Sequence, residues 1–534
     1  MAGQRWRRFA GADSLLDLIR FGLVLPIYVV VDQATQQMAS LTATEVANPV
    51  LAVTAARANP LFFALLTGLL TVVAVAGRGR LHMGWADLDN GAVLRLFVAP
   101  IVFLHTWRAI TLDVDFITGQ WHTIDRLLLL GLAIALLRWP ILLIPWILEA
   151  RLLNVPLEAV SGALSSQNID ELLIVVLIAV SAAFILAAAS GVTSAGPALA
   201  LASAAVANHF FVAGFAKLRL GWFGQNQIAD LPMGTYSNGW RAAGDGTWSQ
   251  RTAAVFEPLN LPIRLITLAI EFGAIFAIVH YRLFRVWVLA TPLFHAAIFV
   301  ATGFWFGEWI VVELGVFWLY STERFASTVR ENATIARRLF CIVVVALPSF
   351  FVFHPPPLAW LDSPVSHGYR IEATNAKGQP VHVNLSAFAP FEQDLFFRYL
   401  DPDKIYGHDV LYNRDVFENL GTVRDFDDLE AIEAANVPST EANAEATEAF
   451  FISFIEFTNN PIERPWFLIQ PPPRFSTSRA DPVMNTATTP LSEVRLVRVT
   501  RIHDQPDLGL REEQLLIVGL DTDGQGVVLE RSYR

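Results

Sequence analysis

The feature that most constrains this chain is the recurrence of long apolar stretches. They fall near residues 15–32, 60–76, 92–107, 126–147, 171–190, 196–216, 263–279, 286–303, 307–320 and 337–353. A helix needs about 20 apolar residues to cross the hydrocarbon of a bilayer, and several of these runs approach that length. Hydrophobic residues make up 54% of the chain and charged residues only 16%, too few charges for a water-soluble protein of 534 residues. The expected architecture is an α-helical polytopic membrane domain over 1–353, followed by a small α+β domain over 354–534.

Charge divides the chain at the same place. From His354 to the end there are 28 acidic and 15 basic residues, a balance of −13 against −11 for the whole chain. An acidic tail repels phosphate backbones, so nucleic acid is excluded as a partner. The one cysteine, Cys341, lies in an apolar run, which leaves no disulfide framework. The start carries Arg5, Arg7 and Arg8 without a small-residue cleavage site, and reads as a basic cytoplasmic anchor.

Arginine placement orients the spans. The basic start and the Arg-bearing loops 280–285 and 323–338 belong on the cytoplasmic side. That puts the tail outside, which needs an odd number of crossings. About nine of the ten stretches should therefore span. The weakest region is 126–160, interrupted by Pro140, Pro145 and Pro156. Several short runs can tilt or re-enter.

Within the tail, His354-Pro355-Pro356-Pro357 reads as a stiff stop and linker. Segments 368–373 and 381–385 flank Asn375-Ala376-Lys377-Gly378 as a hairpin. Further strands are expected at 494–500, 515–520 and 526–531, and helix over 425–457. Asp521-Thr522-Asp523-Gly524 opens like a calcium loop but lacks the glutamate at position 12, so it reads as a turn.

The most informative stretch is Asn208-His209-Phe210-Phe211-Val212-Ala213-Gly214-Phe215-Ala216-Lys217-Leu218-Arg219-Leu220-Gly221-Trp222. An apolar helix arrives from Gly196, ends at Lys217 and meets an aromatic-Gly turn. A lysine there either snorkels to the headgroups or has work to do. Glu271 raises the same question in the middle of a later run. His209 and His295 are ordinarily hydrogen-bonded core residues, and no spacing of ligands suggests a metal. Glu308 and Glu313, five residues apart, sit about 140° apart on a helix. Glu308 is the one expected to face inward.

The string HFFVAGFAKLRLGWFG resembles the Phe-x-x-Ala-Gly-x-x-Lys-Leu-x-x-x-Trp segment of the vitamin K-dependent γ-carboxylase superfamily, whose members share a horizontally transferred transmembrane (HTTM) domain. A second likeness is a helix glutamate, Glu271, then Phe294-His295 opening a later helix, then Phe306-Gly307-Glu308-Trp309. The resemblance covers roughly residues 10–325. It implies a base role for Lys217. Glu271, His295 and Glu308 join it as candidate catalytic residues, and Phe211, Trp222 and Phe294 as candidate cofactor contacts. The implied cofactor is a reduced quinone such as vitamin K hydroquinone. The family's histidine-bearing stretch is matched here by Trp121-His122-Thr123-Ile124-Asp125, where Ile124 takes the histidine position and His122 lies beside it.

Two functions follow as expectations. One is a quinol-linked enzyme of the cytoplasmic membrane with a lysine base. The other is a non-catalytic membrane scaffold that binds lipid or partner proteins, with the C-terminal domain as the interaction module. Glycine and tryptophan in 221–262 suit an interfacial segment over a cavity mouth.

Overall fold

The chain is described by a computed structural model. It describes residues 41–61, 83–89, 91–111, 121–160, 196–219, 247–302, 306–323, 365–383, 422–435, 441–460, 490–502 and 509–531, with scattered positions between. The candidate span at 15–32, most of those at 60–76, 171–190 and 337–353, the Pro-rich linker and most of the aromatic loop 221–262 lie outside these residues.

The longer described helices ahead of the sheet are α1 Leu51–Ala58, α2 Gly91–Thr111, α3 Thr123–Ala135, α4 Leu143–Val160, α5 Gly196–Arg219, α6 Thr247–Phe256, α7 Asn260–Ala277, α8 Tyr281–Thr302 and α9 Gly307–Ser321. Among the described residues three stretches are long and apolar enough to cross a membrane: 91–111, 254–277 and 281–301. The central part of α5, Ala202–Phe215, is apolar but shorter. Helix α9 has 15 residues, short of a full crossing. Region 126–160 is not one helix. It breaks at Pro140, where a short 3-10 turn joins α3 to α4, because a proline lacks the N–H an α-helix interior needs.

The helices pack as a chain of neighbours. Helix α5 lies on α7, α7 on α8, α8 on α9, α9 on α2, α2 on α3, and α3 on α4. Their polarity is reversed from that of a water-soluble bundle. On α7 the buried side carries Asn260, Arg264, Thr267 and Glu271, whereas Leu261, Leu265, Ile266 and Phe276 are exposed. On α8, Thr291 and His295 are buried while Leu283, Val286, Leu293 and Val300 face out. Large apolar side chains outward and paired polar groups inward are what a hydrocarbon solvent selects.

The C-terminal part contains a five-stranded antiparallel sheet in the order β2-β1-β3-β4-β5, with β1 Val365–Asn375, β2 Pro380–His382, β3 Leu491–Ile502, β4 Gly509–Leu520 and β5 Gly526–Arg531. Cross-strand rows Ala373–Val494–Val518 and Ile371–Leu496–Leu516 are buried and form its apolar face. The expected helix over 425–457 is two, α10 Phe426–Ala435 and α11 Glu441–Asn459, and α11 packs on β3, β4 and β5 through a row that includes buried Phe454 and Ile455. Both expected turns are present. Gly378 and Gly524 adopt φ of +74° and +78°, which a side chain would strain. Asp521 Oδ1 accepts the N–H groups of Asp523 and Gln525, so that stretch is a hydrogen-bonded turn.

Candidate functional site

Helix α5 carries Lys217 in its last turn and runs two residues past it, to Arg219. Its ammonium does not reach outward. Lys217 Nζ donates to Glu271 Oε1 at 2.8 Å, and both side chains are buried. Gly214 explains how the two helices come this close. A Cβ there would lie 2.9 Å from the Cβ of Glu271 and 3.2 Å from the Phe272 ring, so only glycine fits without displacing α7. One turn of helix after Gly214 brings Lys217 over the carboxylate. The Trp222 ring lies 5.6 Å from Lys217 Nζ, within cation–π range. Trp222 is buried, and its carbonyl accepts from the Arg264 guanidinium. Trp222 is thus packed against α7.

His295 is not at the start of a helix, as the sequence suggested, but deep inside α8, which continues through Pro292. Its ring lies flat on Phe306, with centroids 4.4 Å apart and planes 8° apart. Its Nδ1 is 3.0 Å from Glu313 Oε1. His209, one face round α5 from Lys217, stacks on Trp309 at 4.0 Å. It lies within electrostatic reach of both Lys217 and His295. Phe210 fills the space between, with its ring 5.2 Å from both His295 and Trp287.

The inward glutamate of α9 was expected to be Glu308. Both glutamates are buried, and Glu313 more completely, at 0% exposure against 6%. Their angular separation puts them against different neighbours. Glu313 faces His295 on α8, whereas Glu308 Oε1 accepts from Arg108 Nη1 on α2 at 2.7 Å. Helix α9 is enclosed from two sides, so two of its faces are inward. Of the four candidate catalytic residues, Lys217 and Glu271 are brought together, and His295 and Glu308 take other partners. Of the candidate cofactor contacts, Phe211 packs edge-on against Phe272 at 5.5 Å, and Phe294 is half-buried beside Phe210. Sequence reasoning missed Arg108 and set Glu313 aside.

A second polar group lies between α1, α3 and α4. Asp125, fully buried, accepts the backbone N–H groups of Leu51 at 2.9 Å and Ala52 at 3.1 Å, at the first turn of α1. Glu149 of α4, outside the three candidate spans, hydrogen-bonds to Asp125. His122 precedes α3 in the left-handed region, at φ 45°, and is buried. Burial holds its imidazole below the ordinary value. Ile124, in the register of the family's histidine, is 56% exposed. The inward histidine at this corner is His122.

No family model, curated protein or solved structure matches the chain.

Proposed function

We propose that this chain is a multi-pass membrane enzyme of the γ-carboxylase-like, HTTM kind, acting on a reduced quinone with Lys217 as its base. The observation that carries the reading is the buried Lys217–Glu271 pair. It joins the two helices that bear the family-like motifs, α5 and α7. A charged pair held among apolar helices is costly unless its geometry is good, and such pairs mark working sites more often than structural ones in a membrane. Glu271 Oε1 is placed to take the proton of the ammonium, which would leave a neutral amine. A neutral amine can remove a proton from a quinol hydroxyl. When bound, the quinol supplies the redox chemistry. Trp222, whose ring lies 5.6 Å from Lys217 Nζ, would hold its ring together with Phe211 and Phe294.

The same reading places the N terminus in the cytoplasm, makes about nine crossings, and sets residues 354–534 outside as a separate domain. Arginine in the loops 280–285 and 323–338 supports that orientation. Reporter fusions at residue 5 and after residue 534 should read cytoplasmic and extracytoplasmic. A cytoplasmic tail overturns the orientation.

A scaffold is the second reading, and one observation favours it: the Lys217 ammonium is already satisfied by Glu271. Lys217→Arg separates the two. Arginine keeps the charge and cannot become a neutral base. Quinol-dependent oxygen uptake by the purified protein should fall by about 100-fold or more in this variant, the usual contribution of a positioned base. Unchanged uptake in Lys217→Arg rejects the base. A wild-type preparation with neither bound quinone nor quinol-dependent uptake leaves the scaffold.

A further inference from the structure

Glu313 is the side chain whose surroundings least explain it. It is 0% exposed in the middle of α9, and neither carboxylate oxygen accepts a hydrogen bond among the described residues. A carboxylate left like that loses its water and gains no donor. The group against it is His295. Its Nδ1 stands 3.0 Å from Glu313 Oε1, although the two are out of line for a hydrogen bond as they stand. Phe306 lies flat on one side of the imidazole, and Phe210 closes at 5.2 Å. These rings restrain the plane of the imidazole, with Nδ1 already within 3.0 Å of Oε1.

The other charged groups nearby are committed elsewhere. Glu308 holds Arg108 from α2, and Glu271 holds Lys217 from α5. His209, stacked on Trp309, stands within electrostatic reach of both Lys217 and His295. The buried faces of α7 and α8 also carry Asn260, Arg264, Thr267 and Thr291, among apolar and aromatic side chains.

We propose that Glu313 and His295 are a proton-holding dyad, with Glu313 the positioning residue that keeps a proton on His295 Nδ1. One proton is shared. It sits on Nδ1 facing a carboxylate, or on Oε1 facing a neutral imidazole, and passing between them breaks one N–H bond and forms one O–H bond. No electron moves and no further reactant is needed. Its service to Lys217, as the acid–base unit beside the amine, rests on the functional reading above. The dyad itself does not.

The histidines read it directly. The protein, labelled with 15N-histidine and held in lipid nanodiscs, has 11 of them. The His295 resonances are those that vanish in His295→Gln. In the wild type they should show a protonated Nδ1. In Glu313→Gln they should move to the form with the proton on Nε2, and the other histidines should hold still. Glu308→Gln, which removes the carboxylate on the opposite face of the same helix, should leave His295 unmoved. Should Glu313→Gln not fold, Glu313→Asp retracts the acid by one methylene and should shift the same resonances part-way. Identical His295 resonances in the wild type and the Glu313 variants overturn the dyad, as does an equal shift in Glu308→Gln. Where the wild type consumes oxygen with quinol, Glu313→Gln should lower the rate about tenfold and displace its pH profile. A His295 shift in a protein without such uptake supports the dyad and rejects the enzyme.

Discussion

Glu271→Leu should lower the stability of the helical part by about 3–5 kcal/mol, whereas Lys217→Met combined with Glu271→Leu should recover most of that loss. The asymmetry follows from the geometry. With the carboxylate gone, the Lys217 ammonium keeps its place in the last turn of α5, is buried, and has lost its acceptor at 2.8 Å. The Trp222 ring at 5.6 Å offers a fraction of that interaction. Taking both charges away removes the desolvation cost along with the attraction, and leucine and methionine restore contact with Phe211 and Phe272. Thermal unfolding in detergent, followed for the two single variants and the double, closes the cycle. A loss in the double variant equal to the sum of the two single losses would mean that the two charges do not interact, and would remove the observation on which the functional reading stands. A double variant as stable as the wild type but devoid of quinol-dependent uptake would show a pair kept for chemistry.

The helical part was legible because lipid-length apolar runs leave little choice. The stretch at 92–107 became α2, 263–279 became α7 and 286–303 became α8, each within a few residues of its expected ends. The strands and both turns of the sheet were legible for the same local reason, since Asn375–Gly378 and Asp521–Gly524 carry their own turn chemistry. What was not legible is which polar side chains meet. Arg108 and Glu308 are 200 residues apart, and no local pattern announces their contact. Glu308 faces inward as expected, but Glu313 does too, because α9 has two inward faces, against α2 and α8. His122 was discounted because its register with the family motif is off by two. Its left-handed backbone, which begins α3, turns it inward and leaves Ile124 outside. A single sequence shows which residues are costly to bury. Their partners come from the packing of helices distant in the chain.

Gly214→Val should be the most damaging single apolar substitution on α5, with a loss of about 3 kcal/mol, at the upper end of overpacking. The atoms that stand in the way cannot rotate aside. The first carbon of any side chain at 214 meets the Cβ of Glu271 at 2.9 Å, and that atom moves only with the backbone of α7. The second methyl of a valine would press on the Phe272 ring, 3.2 Å from the same Cβ position. The helices must therefore separate, and the Lys217–Glu271 bond lengthens with them. Gly214→Ala should cost less, because alanine gains about 1 kcal/mol of helix propensity that offsets part of the clash. Two measurements made together decide the matter: the unfolding temperature, and the rate at which an amine-reactive reagent labels Lys217. In the wild type the buried, paired amine should label slowly. Gly214→Val should label faster as well as unfold earlier, whereas a destabilisation arising elsewhere would leave labelling of the folded protein unchanged. A valine variant as stable as the wild type, with Lys217 still protected, would mean that α5 and α7 do not approach at Gly214, and the pair at the centre of the proposed site would lose its geometric basis.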